Sequence, residues 1–213
     1  MKRFSVLCAA FVIAAAAVAL ADQGPTYTGP MSASEKQFVA GIQADLMKRF
    51  PTAADAVRAG YVRYTNEDAT GAISYANMQW QSADVLHPSQ LWYDKNGQLL
   101  GADFSVQTDS NTRPAKFGVN PGRWVEFDDH VHWVGHDANG QATYDNYVMA
   151  DKFKAAGGDP AHPTAADLVR MHKVDKTSDV ATVFDMPRIW DLIVWVRPNP
   201  SGAFAEKNPL VKP

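Results

Sequence analysis

The chain has one cysteine, Cys8, and it sits inside the first apolar run. Beyond that run no thiol remains, which excludes disulfides, a cysteine nucleophile, iron–sulfur clusters and thiolate zinc sites. Positive charge is also in short supply. Lys and Arg number 20 against 23 Asp and Glu, and the net charge of −3 becomes −5 without Lys2 and Arg3. A basic footprint for nucleic acid is therefore missing. Gly-x-Ser-x-Gly, a phosphate loop, a dinucleotide fingerprint and His-Glu-x-x-His are absent, so acyl transfer, nucleotide use and zincin proteolysis have no support. There is no internal repeat, no low-complexity tract and no mid-chain linker. Disorder is excluded by composition, with 46% apolar and 11% aromatic residues.

Only one long apolar run is present. Lys2 and Arg3 precede Phe4–Leu20, which is apolar apart from Ser5, and Ala19-Leu20-Ala21 fits a small-x-small cleavage rule. This pattern predicts a secretory signal peptide over residues 1–21. The alternative, a membrane anchor, needs ~20 apolar residues, which the run barely reaches. The expected product is an exported bacterial protein, periplasmic or secreted, with no membrane span in the mature chain.

Residues 22–31 hold Gly24, Pro25, Gly29 and Pro30 and read as a flexible leader; residues 32–213 read as a single domain. Ser32 or Ser34 caps a helix to about Arg49, with Ser32 and Glu35 as a capping box. Phe38, Ile42, Leu46 and Phe50 form its apolar stripe. Thr52 caps a second helix over Ala53–Ala59. Strands are expected at Tyr61–Thr65, Ile73–Trp80, Gln90–Asp94, Gln98–Val106, Arg123–Val134, Ala142–Val148 and Ile189–Val196. Asn96-Gly97 and Asn139-Gly140 supply hairpin turns. Two short helices, Met149–Ala156 and one capped by Thr164, precede the last strand. That strand is apolar on both faces apart from Asp191, so it should be central. The fold class is α+β, with an antiparallel sheet that is either open or curled and barrel-like.

One stretch gathers chemistry. Three of the six histidines fall within seven residues, at His130, His132 and His136. Read as one strand, Arg123–His136 places Glu126, Asp128, His130 and His132 on one face, opposite Val125, Phe127, Val131 and Trp133. Neighbouring imidazoles on a strand are within reach of one divalent transition metal ion: Zn, Cu, Fe or Ni. Asp103 shares the polar face of its own strand with Ser105 and Gln107, and His87 stands at a strand entrance before Pro88. The expected ligand set is His130 and His132, completed from His136, Glu126, Asp103 or His87. The metal ion, or a small molecule held through it, is the expected partner. Two other readings stay open: a metal-dependent enzyme at the same place, with Asp128 or Glu126 as acid or base, and an envelope interaction protein whose histidines are solvated. His162 and His172 read as structural, and the six tryptophans as core filling.

Four segments together carry a resemblance. They are Ala54–Gly60 leading into Tyr61; His87-Pro88-Ser89-Gln90-Leu91-Trp92-Tyr93 with Gly97-Gln98-Leu99 and Gly101-Ala102-Asp103-Phe104; Pro114-Ala115-Lys116-Phe117-Gly118; and Val194-Trp195 followed by Asn199-Pro200-Ser201-Gly202-Ala203-Phe204-Ala205 and Asn208-Pro209. In these the chain resembles a family of secreted bacterial proteins to which no activity is attached. The resemblance implies export and a shared fold. That family commonly has a histidine just before the Val-Trp pair, where Ile193 stands here, and another where Tyr75 or a neighbour stands. On this reading the His130–His136 cluster replaces them.

Overall fold

A computed structural model describes residues 21–80 and 84–213. The predicted signal run Phe4–Leu20 lies outside the described residues. The chain opens with a three-residue strand, β1 (Ala21–Gln23), and α1 (Ala33–Arg49) follows. Ser32 and Glu35 form the expected capping box, and Val39, Ile42 and Leu46 are buried. Thr52 and Asp55 repeat that box at α2 (Ala53–Arg58). The remaining strands are β2 (Val62–Arg63), β3 (Ile73–Ala76), β4 (Gln90–Tyr93), β5 (Leu99–Gln107), β6 (Val125–Phe127), β7 (His130–His136), β8 (Ala142–Met149), β9 (Val180–Met186) and β10 (Ile189–Trp195). Helices α3 (Ala150–Ala155) and α4 (Ala165–Arg170) lie between β8 and β9, with Thr164 capping α4.

These strands make two antiparallel sheets. Seven strands run in the order β1-β6-β10-β5-β4-β3-β2 and three in the order β8-β7-β9. The larger sheet is open, with β1 and β2 as its edges. β10 pairs with β5 along its whole length and with β6 over Ile189–Asp191, and all seven of its residues are buried. One face of this sheet carries Leu91, Tyr93, Phe104, Trp190, Leu192 and Val194, which pack with Val39, Ile42, Leu46 and Phe50 beside α1. On the opposite face Trp92 lies across Gly101, where an added Cβ would approach the Trp92 ring to 2.9 Å and the Val194 carbonyl to 2.8 Å. Glycine is what lets β4 and β5 pair beneath that indole.

The expected continuous strand Arg123–Val134 is divided, and this changes the site. A 3-10 turn at Pro121–Arg123 precedes β6 in the large sheet; the chain then breaks at Asp128-Asp129 and re-enters the small sheet as β7. The break is held from both sides: the Ala150 amide donates to the Asp129 carbonyl at 3.0 Å, and His130 Nδ1 lies 2.5 Å from the Asp128 carbonyl oxygen. Strand parity does not carry across it, so Glu126 and Asp128 do not share a continuous strand face with His130 and His132. β9 went unassigned in the sequence reading because its Val-Ala-Thr-Val-Phe-Asp-Met run lies between a polar turn and Pro187.

The small sheet uses its two faces differently. Val131, Trp133 and Val148 pack with Phe153 of α3 and Leu168 of α4. His130, His132 and Val134 point the other way, and Val134 joins Tyr64 and Ala76 in a small cluster between the sheets. The stretch 22–31 lies against the rest of the fold. Thr26 and Tyr27 donate to the Gly122 carbonyl at 2.8 and 3.0 Å, and Arg123 sits 4.5 Å from the Tyr27 ring centre.

Arg123 and Glu35 form the best-buried ion pair at this end, with Nε to Oε1 at 3.1 Å and both side chains nearly inaccessible. Arg123 also donates to the Gly29 carbonyl at 2.7 Å, and Glu35 accepts from the Asn120 amide at 3.1 Å. Removing one member strands a buried charge, so Arg123→Ala is expected to cost about 3 kcal/mol or more. Ser32→Ala removes one cap bond and should cost about 1 kcal/mol. Urea unfolding of both variants checks the order; equal losses would mean the pair is no more than a cap accessory.

Candidate functional site

Between the two sheets runs a polar seam. Its lower side is the β4–β5–β10 face, where register places Gln90 opposite Asp103, Asp103 opposite Ile193, and Ser105 opposite Asp191. Asp103, Asp191, Ser105, Gln90 and Ser89 are all buried. Ser105 donates its hydroxyl to Asp191, Ser89 is bonded to Ser105, and Gln90 Nε2 donates to Asp191 Oδ2 at 3.4 Å. Trp92 Nε1 donates to Asp103 Oδ2 at 3.1 Å, while Asp103 Oδ1 has no partner among the described residues. No arginine or lysine joins them there.

Tyr64 crosses the seam. Its hydroxyl donates to Gln90 Oε1 on the large sheet, and its ring meets the His132 ring edge-on at 4.9 Å on the small one. Phe184 stacks on His132 from the side at 5.8 Å. The Asp145 amide donates to the Tyr64 carbonyl at 3.0 Å, which ties the loop after β2 to β8.

The two imidazoles are set by backbone, not by carboxylates. Their ring centres are 4.8 Å apart with planes at 68°. His130 Nδ1 faces the Asp128 carbonyl at 2.5 Å, and His132 Nδ1 faces the Asn146 carbonyl at 3.1 Å. A carbonyl only accepts, so both Nδ1 atoms carry the proton and each neutral ring keeps its lone pair on Nε2. Among the described residues neither Nε2 has a hydrogen-bond partner. Burial, at 3% and 5% exposure, holds both rings in the neutral form. Desolvation draws the His130 value down against its bond to Asp128. Desolvation and then the neighbouring His130 pull His132 to about 3. Tyr147, 38% exposed, lies 5.7 Å from His132 and 6.1 Å from His130 at the solvent side.

The other predicted ligands go elsewhere. Glu126 is buried in an ion pair with Arg188, beside Trp190 in register, on the face away from the seam. His136 lies beyond a register shift at Gly135, exposed, at the far end of β7. His87 packs on Trp80 at 4.7 Å and pairs with Asp84 at 2.7 Å. Asp103 is in the seam, with Tyr64 and Gln90 between it and His132. Among the described residues no group of three or more His, Cys, Asp or Glu side chains is arranged to hold one ion. His162 is exposed beside Asp159, and His172 follows α4 in the left-handed region.

Several seam residues were not singled out from sequence. Asp191 gave a signal, as the one charge in an apolar central strand. Tyr64, Gln90 and Ser89 gave none, since only the pairing of distant strands brings them together. A second acid pair, half-buried Asp129 and Asp185, lies just before β7 and near the end of β9. Burial and then Asp129 push Asp185 up to about 7. Of the two positions where the resembling family has histidines, Ile193 faces the seam opposite Asp103, whereas Tyr75 packs into the core on the other face. Comparison with family models, curated proteins and solved structures gives no match.

The seam acids make folding depend on pH. Burial, then the neighbouring Asp191, lifts Asp103 well above the ordinary 3.8, and burial pushes Asp191 up to about 7. A raised carboxyl stabilises the fold fully below its unfolded value, and that contribution is lost as pH rises through the folded one. The loss here falls between pH 3.8 and about 7. His130 and His132 have the opposite sign: their contribution is complete above the ordinary 6.5 and lost as pH falls. Comparing Asp103→Asn with the unaltered chain isolates the acids. The variant should gain relative stability as pH rises from 4 to 7, by roughly 1 kcal/mol per pH unit at the steepest point. Urea unfolding at a series of pH values reads this, and a stability difference independent of pH would show that the pair does not titrate in the fold.

Proposed function

We propose that the chain is an exported protein that binds a transition metal ion through Nε2 of His130 and Nε2 of His132. The observation that supports this best is the tautomer. Metal-bound histidines characteristically donate their other ring N–H to a carbonyl or carboxylate, which fixes the ring and leaves the ligating nitrogen bare. Both rings are arranged so, in adjacent positions of one rigid central strand. With metal–nitrogen bonds of about 2.0–2.1 Å, two imidazoles on one ion hold their ring centres roughly 4.5 Å apart at a right angle and roughly 5.2 Å apart at the tetrahedral angle. The observed 4.8 Å lies between these. Neutral imidazoles of this kind suit zinc, copper, iron or nickel.

The geometry supports binding over catalysis. A metal-dependent enzyme needs an acid or base beside the open position. Of the two candidates, Glu126 is occupied by Arg188 on the face away from the seam, and Asp128 meets His130 through its backbone carbonyl at Nδ1, not at Nε2. A reading with solvated histidines fits poorly with their burial, at 3% and 5% exposure; solvated surface histidines would be exposed, as His136 and His162 are. Export rests on the sequence pattern of residues 1–21.

Elemental analysis of the natively exported protein, purified without a histidine tag or chelator, is the test. Close to one equivalent of zinc, copper, iron or nickel is expected. His130→Ala with His132→Ala should abolish it while circular dichroism shows the fold retained. Metal that survives in the double variant, or none in the unaltered protein even after these ions are added, would sink the proposal.

A further inference from the structure

Two imidazoles leave an ion short of ligands, and no carboxylate is arranged to help. The strands on either side of β7 offer something else. His130 is directly opposite Met186 of β9 and directly opposite Met149 of β8. Directly opposed residues of antiparallel strands project from the same face, with Cβ atoms about 4.5–5.5 Å apart. Both thioethers therefore flank His130 on the face that carries its imidazole. His132, two residues on, has Phe184 and Tyr147 in the corresponding places.

The other methionines are accounted for by packing. Met31, Met78 and Met171 lie against apolar clusters, and Met47 is exposed. Met186 is only 3% exposed yet belongs to none of the four apolar clusters, and Met149, half-buried, joins none either. Met186 and Met149, outside all four apolar clusters, are the two methionines in register with His130. Thioether sulfur is a soft ligand and a poor one for zinc, nickel or ferrous iron; with imidazole it selects cuprous copper. An aromatic surround of Tyr64, Phe184 and Tyr147 completes a weakly polar shell, which favours a singly charged, weakly hydrated ion over a doubly charged one.

We propose that the ion bound at His130 and His132 is copper in its cuprous state, with the Met186 sulfur as third ligand and the Met149 sulfur available as a fourth. This rests on the metal reading above and narrows it to one element and one oxidation state.

The experiment titrates the exported protein anaerobically with cuprous ion against a chromophoric cuprous chelator, and separately with zinc against a zinc chelator. Mass analysis first checks that residues 1–21, and Cys8 with them, are gone, so that methionine is the sole sulfur. Cuprous binding should be tighter than zinc binding. Met186→Leu, close in volume and apolar, should weaken cuprous affinity by about 10-fold or more, the scale on which lost metal-site interactions are felt. It should leave zinc affinity within a few-fold. X-ray absorption at the copper edge should show nitrogen and sulfur neighbours in the unaltered protein and less sulfur in Met186→Leu. If that variant fails to fold, Met149→Leu and the absorption spectrum of the unaltered chain still decide the matter. Zinc or nickel binding that depends on His130 and His132, with cuprous ion no tighter or with no sulfur at the copper, overturns the copper inference and leaves the metal reading standing. No binding of any ion overturns both.

Discussion

One side chain, Tyr64, donates its hydroxyl to Gln90 on the large sheet and presents its ring edge to His132 on the small one. Around that contact the interior is polar where most interiors are not. Gln90 has its carbonyl oxygen taken by Tyr64 and its amide turned to Asp191, and Asp191 in turn receives Ser105. Each group is satisfied only because its neighbour faces the right way. A buried amide or carboxyl left without a partner costs about 1–3 kcal/mol or more, so the seam fixes how the small sheet sits on the large one more tightly than apolar packing alone would. Apolar contact between the sheets is small by comparison, limited to Tyr64, Ala76 and Val134 with Met78, Tyr144 and Phe184.

That arrangement determines the state of the histidines. β7 is the central strand of the small sheet, so its backbone is held on both sides, and its outer face lies against α3 and α4. The inner face is closed by Tyr64. His130 and His132 are thereby dried, and dry imidazoles stay neutral. The carbonyls of Asp128 and Asn146 choose the tautomer. Neither is an incidental acceptor: the first belongs to the break that carries the chain from one sheet to the other, and the second to the partner strand β8. The fold thus supplies rigidity, neutrality and a bare Nε2 to each ring.

Much of this was legible along the chain and some was not. Ser32, Thr52 and Thr164 announced their helices because a cap and its third-position acid are local. The run Ile189–Trp195, apolar on both faces apart from Asp191, identified β10 as central, because an interior strand is buried on both faces. The pairing of His130 with His132 needed nothing beyond a two-residue repeat. The companions of that pair were misjudged, because parity holds only while a strand is unbroken, and Asp128-Asp129 interrupts it. Glu126 accordingly belongs to Arg188 and the large sheet. Met186 and Met149 could not have been assigned, since each reaches His130 only by register across a strand more than a dozen residues distant, and β9 carries no turn signal of its own. Tyr64 was invisible for the same reason.

The buried acids separate into two kinds, and the separation bears on what the inner face can hold. Glu35 and Glu126 each have an arginine, Arg123 and Arg188, and each is remote from the imidazoles. Asp103 with Asp191, and Asp129 with Asp185, have no arginine among the described residues. Of these four, Asp129 precedes His130 in the chain, while Asp185 precedes Met186 and lies opposite Val131 on the outer face of the small sheet. Asp191 is joined to Tyr64 through Gln90, and Asp103 lies opposite Gln90 in register. Burial first, and for Asp185 then the neighbouring Asp129, favours retaining a proton, which is why Asp185 and Asp191 are pushed up to about 7. A positive ion between His130 and His132 would reverse that balance and draw protons off both pairs. The acids cannot reach the ion as ligands, yet they can supply the negative charge that two neutral imidazoles and two thioethers lack.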